Sequence, residues 1–428
     1  MSFQEFQKAA NRLTLREIGF LILAGIVAIL VIYGLAIGNF YLANHLPGGG
    51  EFYLLRTGGR AFLFDQIEPY SGVVPGRVQD QVYGTSTSPT LGEDLYILDI
   101  PFHLFVLFFP LAVIPDAAMA RALWMAFSEL ALVGFLYFSF RILDRRIPYF
   151  FYALIAIAGF LSFYAYRSFI EGSPVVLLVL AYVGILISIR SGHDELAGGL
   201  MALSAFQWEM GGLFLFFVAI WAFLEKRWRV FTGAAMLAFI LLALSFFWYP
   251  GWVLPFMRAS WNSFQAGFGY SVHAILNQIW PQYGNIPGWI LTGILIIALG
   301  YERRTARGNF NRFIWAVGFS LAASPLLGYR IEMEQLLPLT LPVILVIVIS
   351  RERWQKFGNW VAILLILFYF GLPWLLFAQG APQEIGLRTD EILFLFWPVS
   401  AVVGLYWIRW WMVRPPRTWL DRAVEMKR

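Results

Sequence analysis

The sequence predicts an all-α polytopic membrane protein, with about twelve transmembrane helices and a large first outer loop containing interfacial or re-entrant helices. Hydrophobic residues make up 60% of the 428 residues and charged residues only 13%, far outside the composition of soluble domains. Apolar runs of about 20 residues, the length that crosses a hydrocarbon core, recur along the chain. The chain has no cysteine, which excludes disulfides and thiolate-based metal or redox sites.

The predicted spans begin close to the N-terminus. The first, from about residue 18 to 40, follows Lys8, Arg12 and Arg16 and lacks a small-residue cleavage site, so we interpret it as a retained anchor rather than a signal peptide. The later spans are predicted at residues 117–141, 148–165, 173–189, 196–208, 210–224, 230–249, 286–301, 312–328, 336–350, 359–378 and 392–408.

The basic residues predict the topology. With the N-terminus on the cytoplasmic side, most of the 31 Lys and Arg residues fall in inner segments, notably 303–312 and 351–356. The apolar run 97–114 would invert every later loop if it crossed the membrane, and it contains Pro101 and Pro110, which cannot donate backbone hydrogen bonds. We therefore expect this run to be re-entrant or interfacial, both termini to be cytoplasmic, and the protein to lie in the cell membrane.

The first outer loop carries an acid at its start. Glu51 follows Gly48-Gly49-Gly50, whose lack of side chains permits close backbone packing near the outer end of the first span. A carboxylate beside a membrane span is costly to hold there and is a functional candidate by default. Glu51 is therefore our first candidate for a general base.

Other polar side chains are predicted on the same outer side. Arginines there could hold a phosphate through charge-assisted hydrogen bonds, and carboxylates could accept protons. The candidate phosphate-binding residues are Arg330, Arg258, His273, Arg167 and Tyr329, and the other candidate site residues are Glu68, Tyr70, Glu171 and Glu209. Arg167 and Glu171 are also spaced as a local helical pair, and the aromatic side chains also suit interfacial anchors, so structural roles stay open.

The first loop resembles a known family. The run from Gly50-Glu51-Phe52-Tyr53 to Ala61, followed by Glu68-Pro69-Tyr70, resembles the first-loop signature of glycosyltransferase family 87, with Glu51 where that family commonly has Asp. Further matching segments, in order, are Ile100-Pro101-Phe102, 110–115, Ala122-Leu123-Trp124, 197–200, 225–229, Ser324-Pro325 and 335–338. The resemblance covers roughly residues 18–350.

This resemblance implies a C-type glycosyltransferase that moves a sugar from a polyprenyl-phosphate donor to an acceptor on the outer membrane face. It implies a mannose-like hexose, a glycan, lipid or protein acceptor, contact with membrane lipid and no nucleic acid, with Glu51 as the base. We expect no cofactor and no metal, although a divalent metal is left open. The glycosyltransferase domain would comprise residues 1–350, including a catalytic loop at 41–116, and residues 351–428 would add transmembrane helices and a basic cytoplasmic tail.

Two other classes of function remain open at this stage. A transporter or flippase of a lipid-linked or anionic solute would explain the intramembrane acid Glu129, but the sequence shows no convincing inverted repeat. A non-catalytic relative that binds a glycolipid would tolerate Glu51 in place of the Asp that the family commonly has.

Overall fold

The computed structural model describes residues 15–83, 96–145, 147–266, 269–306, 308–354, 357–380 and 387–413. Within these ranges all regular secondary structure is helical, and the β pairing is limited to an isolated antiparallel bridge between Tyr270 and Ile331. The all-α prediction is therefore confirmed for the part of the chain that the structure describes.

The helices of the described ranges are named here in chain order. They are α1 (Leu15–His45), α2 (Gly50–Leu63), α3 (Val73–Tyr83), α4 (Phe102–Phe105), α5 (Phe109–Val113), α6 (Ala117–Leu143), α7 (Tyr149–Phe160), α8 (Phe163–Glu171), α9 (Val175–Ser191), α10 (Asp194–Leu203), α11 (Trp208–Leu224), α12 (Trp228–Trp248), α13 (Val253–Ala266), α14 (Val272–Ile279), α15 (Asn285–Thr305), α16 (Phe310–Ala323), α17 (Thr340–Arg353), α18 (Gly358–Ile366), α19 (Leu372–Gln379) and α20 (Thr389–Val413). Short 3-10 segments lie at Val106–Phe108, Ser324–Leu327 and Glu334–Leu339, and a π-helical turn lies at Leu367–Gly371.

Several helices are long and apolar enough to cross a membrane. Among the described residues there are 7, or up to 8 if the bent pair α7 and α8 forms one span. They are Gly25–His45, Ala117–Leu143, Trp228–Trp248, Asn285–Thr305, Glu334–Arg353, Gly358–Gln379 and Thr389–Met412. The chain is therefore a multi-pass helical membrane protein, while the predicted count of about twelve spans is not confirmed.

The difference lies in the short helices. The predicted span 196–208 corresponds to α10, whose 10 residues extend only about 15 Å along the helix axis. The predicted span 312–328 corresponds to α16, which has 14 residues before the chain tightens into a 3-10 turn. Hydropathy detects apolar content but not the breaks that end a helix, so it overestimated the length of these segments.

The first loop is a packed structure rather than an open connection. Its segment Phe102–Val113 is a short helical stretch interrupted by a 3-10 turn, which by length agrees with the prediction that it does not cross the membrane. The side chains of Phe52, Phe102 and Phe105 are completely buried. The Phe62 ring on α2 contacts the Phe102 ring at a centroid distance of 5.0 Å, so α2 packs against this stretch.

Two arginines of α2 satisfy the backbone at the end of this stretch. Arg56 Nη2 donates to the carbonyls of Ile114 at 2.9 Å and Pro115 at 2.6 Å, and Arg60 Nη1 donates to the carbonyl of Ala112 at 3.0 Å. The last carbonyls of a helix have no partners within the helix, so these bonds replace water in a buried position. The two arginines therefore hold the loop together.

A third arginine joins α1, α6 and α8. Arg121, which is 2% exposed, lies on α6 and donates to the carbonyls of Leu46 at 3.2 Å and Ile170 at 2.9 Å. It also lies 3.4 Å from the carbonyl oxygens of Ala43 and Pro47. A buried guanidinium needs such partners, and here they come from the ends of two other helices. This contact sets the position of the turn that precedes Glu51.

The predicted topology can be tested by labelling, because the native chain has no cysteine. We expect Leu254→Cys, an exposed position on α13, to react with a membrane-impermeant maleimide in intact cells. Arg304→Cys, at the exposed end of α15, should react only after permeabilisation, since the positive-inside distribution places this end in the cytoplasm. The opposite labelling pattern would reverse the topology.

Candidate active site

Glu51 is positioned by the turn between α1 and α2. It lies in the first turn of α2, directly after Gly49, whose φ of 91° belongs to the left-handed region. A Cβ at Gly49 would lie 2.9 Å from Arg121 Nε, so the close approach of the arginine requires a glycine there. The backbone N–H of Gly50 donates to Glu171 Oε2 at 3.3 Å, which satisfies a free donor at the start of α2.

Three carboxylates meet at this point. Glu51, Glu332 and Glu334 each present an oxygen atom, and these atoms all lie within 4.8 Å of one another. Glu51 is half-buried, and its Oε2 atom is enclosed without a hydrogen-bond partner among the described residues. Glu334 is only 5% exposed. We refer to Glu51, Glu332 and Glu334 as the carboxylate cluster.

The segment that carries Glu332 and Glu334 is held in place by its backbone. Tyr270 and Ile331 exchange two backbone hydrogen bonds of 2.8 and 2.9 Å, and Ser168 Oγ on α8 donates to the carbonyl of Glu334 at 3.1 Å. The segment is therefore fixed from two sides. The cluster thus joins the first loop to a turn far along the chain.

Electrostatics in the cluster favour bound protons. Burial and then the negative charge of Glu334 raise the pKa of Glu51 to about 8, against a smaller opposing effect of hydrogen bonds with Ser173 and Glu332. Burial and then the negative charge of Glu51 raise the pKa of Glu332 to about 8 as well. Because like charges this close cannot all ionise together, the carboxyls titrate as a coupled group and hold protons at neutral pH.

One basic side chain lies near the cluster. Arg167 on α8 is half-buried, and its Nε atom is enclosed without a hydrogen-bond partner within the described part of the chain. It interacts electrostatically with Glu334, Glu171 and Asp390. Arg167 therefore has several carboxylates around it, and its guanidinium is not committed to an ion pair with any one of them.

Asp390 enters this region from the last helix. It lies in the first turn of α20 and accepts a hydrogen bond from the Tyr270 hydroxyl at 3.2 Å. Two more acids, Asp99 and Glu209, interact electrostatically with each other, and Asp99 also acts on Glu332. The carboxylate cluster is thus the centre of a wider group of acids, which we call the acidic recess: Glu51, Asp99, Glu171, Glu209, Glu332, Glu334 and Asp390.

The carboxylate cluster is also the group in the described chain that could hold a divalent cation, since it offers three oxygen ligands. A compact ligand set could not be inferred from the sequence, because Glu51 is separated from the other two acids by most of the chain. The expectation of no metal stays a prediction.

The structure brings together Glu51, Glu171 and Arg167 among the predicted site residues. Arg330 is exposed on the turn that leads to Glu332, and Arg258 is exposed on α13. Neither arginine forms an ion pair within the described residues, and both remain predictions for the phosphate site.

The other candidates have structural surroundings. His273 packs against Trp289, with ring centroids 4.9 Å apart, and its Nε2 lies 3.2 Å from Thr292 Oγ1. The Tyr329 ring contacts Trp208 at a centroid distance of 5.0 Å. These contacts account for the positions of His273 and Tyr329 without a ligand.

Three candidates lie further from the cluster. The Tyr70 hydroxyl donates to the carbonyl of Ile100 at 2.8 Å, and Glu68 is exposed and interacts electrostatically with Tyr249. Glu209 is half-buried at the start of α11, where its backbone carbonyl accepts a bond from Ser324 Oγ at 3.0 Å. Tyr70 and Glu68 therefore have roles in loop packing, whereas Glu209 borders the acidic recess.

The sequence analysis missed Glu332 and Glu334 as site residues. Both stand in the turn from which Arg330 and Tyr329 were selected, and two acids spaced by one residue directly before an apolar span were the available signal. Their partner Glu51 could not be inferred from this spacing, since the contact is tertiary.

Gly172 keeps α2 in register with α8, and this packing can be tested. Its φ is 67°, and a Cβ there would lie 2.5 Å from Phe52 Cβ, next to Glu51. Gly192 has the same kind of left-handed cap, with φ of 78°, but open space around it. Both Gly→Ala changes should lower the free energy of unfolding by about 1–2 kcal/mol through strain in the left-handed backbone conformation. Gly172→Ala should lower it by about a further 1–3 kcal/mol through overpacking against Phe52.

The measurement is the apparent melting temperature of the purified protein, followed by tryptophan fluorescence. Gly172→Ala should lower it clearly more than Gly192→Ala. Equal losses in the two variants would show that the contact with Phe52 does not constrain α2.

Comparison with known proteins identifies the family. A profile of glycosyltransferase family 87 matches residues 101–331, more than half of the chain, and no curated protein matches. The match includes Arg167 and Glu171 but ends before Glu332, and it begins after Glu51, so it does not test the carboxylate cluster. It confirms the resemblance seen in the sequence, and the chain belongs to glycosyltransferase family 87.

Proposed function

We propose that this membrane glycosyltransferase transfers a mannose-like hexose from a polyprenyl-phosphate donor to an acceptor hydroxyl at the outer membrane face, with Glu51 as the general base. The observation that carries this proposal is the enclosed Glu51 carboxylate, which has a raised pKa and shares two neighbouring acids, Glu334 and Glu171, with Arg167. A base and a cation for phosphate are the two groups that such a transfer needs.

The chemistry is a substitution at the anomeric carbon. The acceptor oxygen forms a bond to this carbon while the bond from the carbon to the phosphate oxygen breaks, and the phosphate leaves with the electron pair. Glu51 takes the proton of the acceptor hydroxyl, a role typically worth about 10²- to 10⁴-fold in rate. Burial and Glu334 raise the pKa of Glu51 and so make it a stronger base than a solvated carboxylate.

Arg167 is the best-placed group for the departing phosphate. It lies among acids that interact with it electrostatically, but the enclosed Nε atom has no hydrogen-bond partner within the described chain. A phosphate near this guanidinium would receive charge-assisted hydrogen bonds. Arg330 is exposed two residues before Glu332 and could contribute a second cation from the rim, as could Arg258.

An apolar groove supports a lipid-linked donor. A cavity of about 940 Å³ lies between α17, α18 with the following π turn, and α20, and its lining includes Leu365, Phe396 and Val403. Leu387 and Ile392 line the same groove at the end where α20 begins, on either side of Asp390 in the sequence. A prenyl chain in this groove would bring its phosphate to the end of the bundle that contains the acidic recess.

The intramembrane acid that could have indicated a transporter has a structural partner. Glu129 Oε2 accepts a hydrogen bond of 3.1 Å from Asn39 Nδ2, which links α6 to α1. This contact accounts for Glu129 as an interhelical polar pair. The transferase interpretation is therefore the one that the described contacts favour.

The role of Glu51 can be tested with Glu51→Gln. The variant keeps the shape of the side chain but cannot accept a proton, so transfer of labelled mannose from polyprenyl phosphate to membrane glycoconjugates should fall by about two orders of magnitude or more. Donor binding and membrane insertion should stay near wild type. Glu51→Asp should retain part of the activity, since only the reach of the carboxylate changes.

Glu68→Gln is the matched control, because it removes an exposed acid of the same loop. Wild-type turnover by Glu51→Gln would move the base to another acid of the recess. Loss of a folded, inserted protein in Glu51→Gln would make Glu51 structural and remove the main support for the proposal.

The pH dependence gives a separate test. The base must be ionised, so turnover should rise with pH through about 8, the pKa of Glu51, rather than through the ordinary range of a glutamate. Glu334→Gln removes a negative charge that raises this pKa, so the rising limb should move to lower pH. An unchanged limb in Glu334→Gln would assign it to another group.

A chelator distinguishes the base from a metal ligand. If Glu51 accepts the proton, EDTA should leave turnover unchanged. Loss of turnover with EDTA, restored by Mg²⁺ or Mn²⁺, would mean that the carboxylate cluster binds a cation and that Glu51 is not free to act as a base.

A further inference from the structure

A polar cavity lies at the other end of the helical bundle. It has a volume of about 240 Å³ and lies between the end of α15, the start of α16 and the end of α20. Its lining includes Tyr301, Glu302, Thr305, Arg312, Trp315 and Arg409. We refer to it as the arginine cavity.

The connecting helices show that this cavity and the acidic recess lie at opposite ends. The helix α20 begins with Asp390, which bonds to Tyr270, and reaches Arg409 in the arginine cavity. The helix α16 begins beside the cavity and ends before Ser324, which bonds to Glu209. Each of these helices therefore has one end at the recess and the other at the arginine cavity.

One arginine of the cavity has a fixed partner. Arg409 Nε donates to Glu302 Oε1 at 2.8 Å, and the Thr305 hydroxyl lies 3.3 Å from Glu302 Oε2. The Glu302 side chain is only 7% exposed, and the ion pair with Arg409 compensates its buried charge. This pair is sufficient to explain why Glu302 and Arg409 face each other.

The pair does not explain Arg312. Arg312 Nη1 donates to the carbonyl of Thr305 at 3.3 Å, but its Nε atom is enclosed and has no hydrogen-bond partner among the described residues. With Arg312 and Arg409 against a single carboxylate, the cavity carries an excess positive charge. A guanidinium with an enclosed, unused donor is costly without an anion beside it.

The start of α16 adds to the attraction for an anion. Arg312 lies in the first turn of this helix of 14 residues, where the helix dipole is positive, and Asn309 Oδ1 caps the backbone N–H of Arg312 at 3.2 Å. The last turn of α15 also carries Arg303 and Arg304, but neither residue lines the cavity. The planar guanidinium matches both carboxylate and phosphate by paired hydrogen bonds, and phosphate is the one that phospholipid head groups supply to basic pockets between membrane helices.

We propose that the arginine cavity binds a phosphate group carried by an anionic membrane phospholipid. The side chains of Ile294 and Ile297, which are 58% and 74% exposed, continue along α15 from the cavity toward the middle of the bundle and would contact acyl chains. The cavity is smaller than the roughly 300–1,000 Å³ typical of whole small-molecule sites, which suits a head-group phosphate alone. This site is independent of the proposed transfer reaction.

The experiment uses the full chain in nanodiscs and native mass spectrometry of the protein released from them. Wild type should retain phosphatidylglycerol in preference to phosphatidylcholine, and Arg312→Gln should bind phosphatidylglycerol about ten- to hundred-fold more weakly. Arg304→Gln is the matched control: it removes an exposed charge from the same end of the bundle but does not line the cavity, and it should bind like wild type.

Arg312→Lys keeps the charge and tests the site if Arg312→Gln does not fold; it should bind with intermediate affinity because the planar donor pair is lost. Equal phosphatidylglycerol binding by wild type and the folded Arg312 variants would overturn the site. An equal loss in Arg304→Gln would also overturn it, since a diffuse basic surface would then account for binding. Binding of inorganic phosphate with no retained phospholipid would overturn the assignment to a lipid.

Discussion

The position of the candidate site depends on the buried guanidinium of Arg121. This side chain is surrounded by backbone carbonyls at the end of α1, in the following turn and at the end of α8. Helix C-termini carry partial negative charge, so they compensate a buried cation that would otherwise be very costly. The same side chain leaves no room for a Cβ at Gly49, and thereby defines how the chain turns into α2 and toward Glu51.

The two ends of the bundle have opposite chemistry. One end gathers Glu51, Glu332 and Glu334 around a recess where burial and mutual repulsion retain protons. The other end gathers Arg312 and Arg409 around a cavity with excess positive charge. A base with a pKa near neutrality suits proton transfer from a hydroxyl, whereas a permanently protonated guanidinium suits a permanent anion, so the two ends favour different ligands.

The segments outside the family match supply much of the candidate site. The matched residues 101–331 contain the Arg167 helix and end at Ile331, whose backbone bridges to Tyr270. The residues directly after the match carry Glu332 and Glu334, and Glu51 comes from before it. The matched region thus acts as a scaffold that brings acids from both flanks to one place.

The sequence by itself determined the class of protein and its family. Composition and hydropathy predict a multi-pass helical protein because the bilayer demands long apolar helices. The order of motifs up to Pro338 indicated the family, and the glycine run before Glu51 led to the prediction that this acid is the general base. These features are local, so they can be read without knowledge of the fold.

Only the tertiary structure decided which distant groups meet. The carboxylate cluster joins Glu51 to Glu332 and Glu334 across most of the chain, and no local pattern encodes that contact. The same is true of Arg121, whose partners lie on other helices, and of His273, which packs against Trp289. The lengths of some helices could not be predicted from the sequence either, because hydropathy does not detect the turns that end α10 and α16. Burial and the charge of neighbouring residues set the protonation of an acid, and both exist only after the chain has folded.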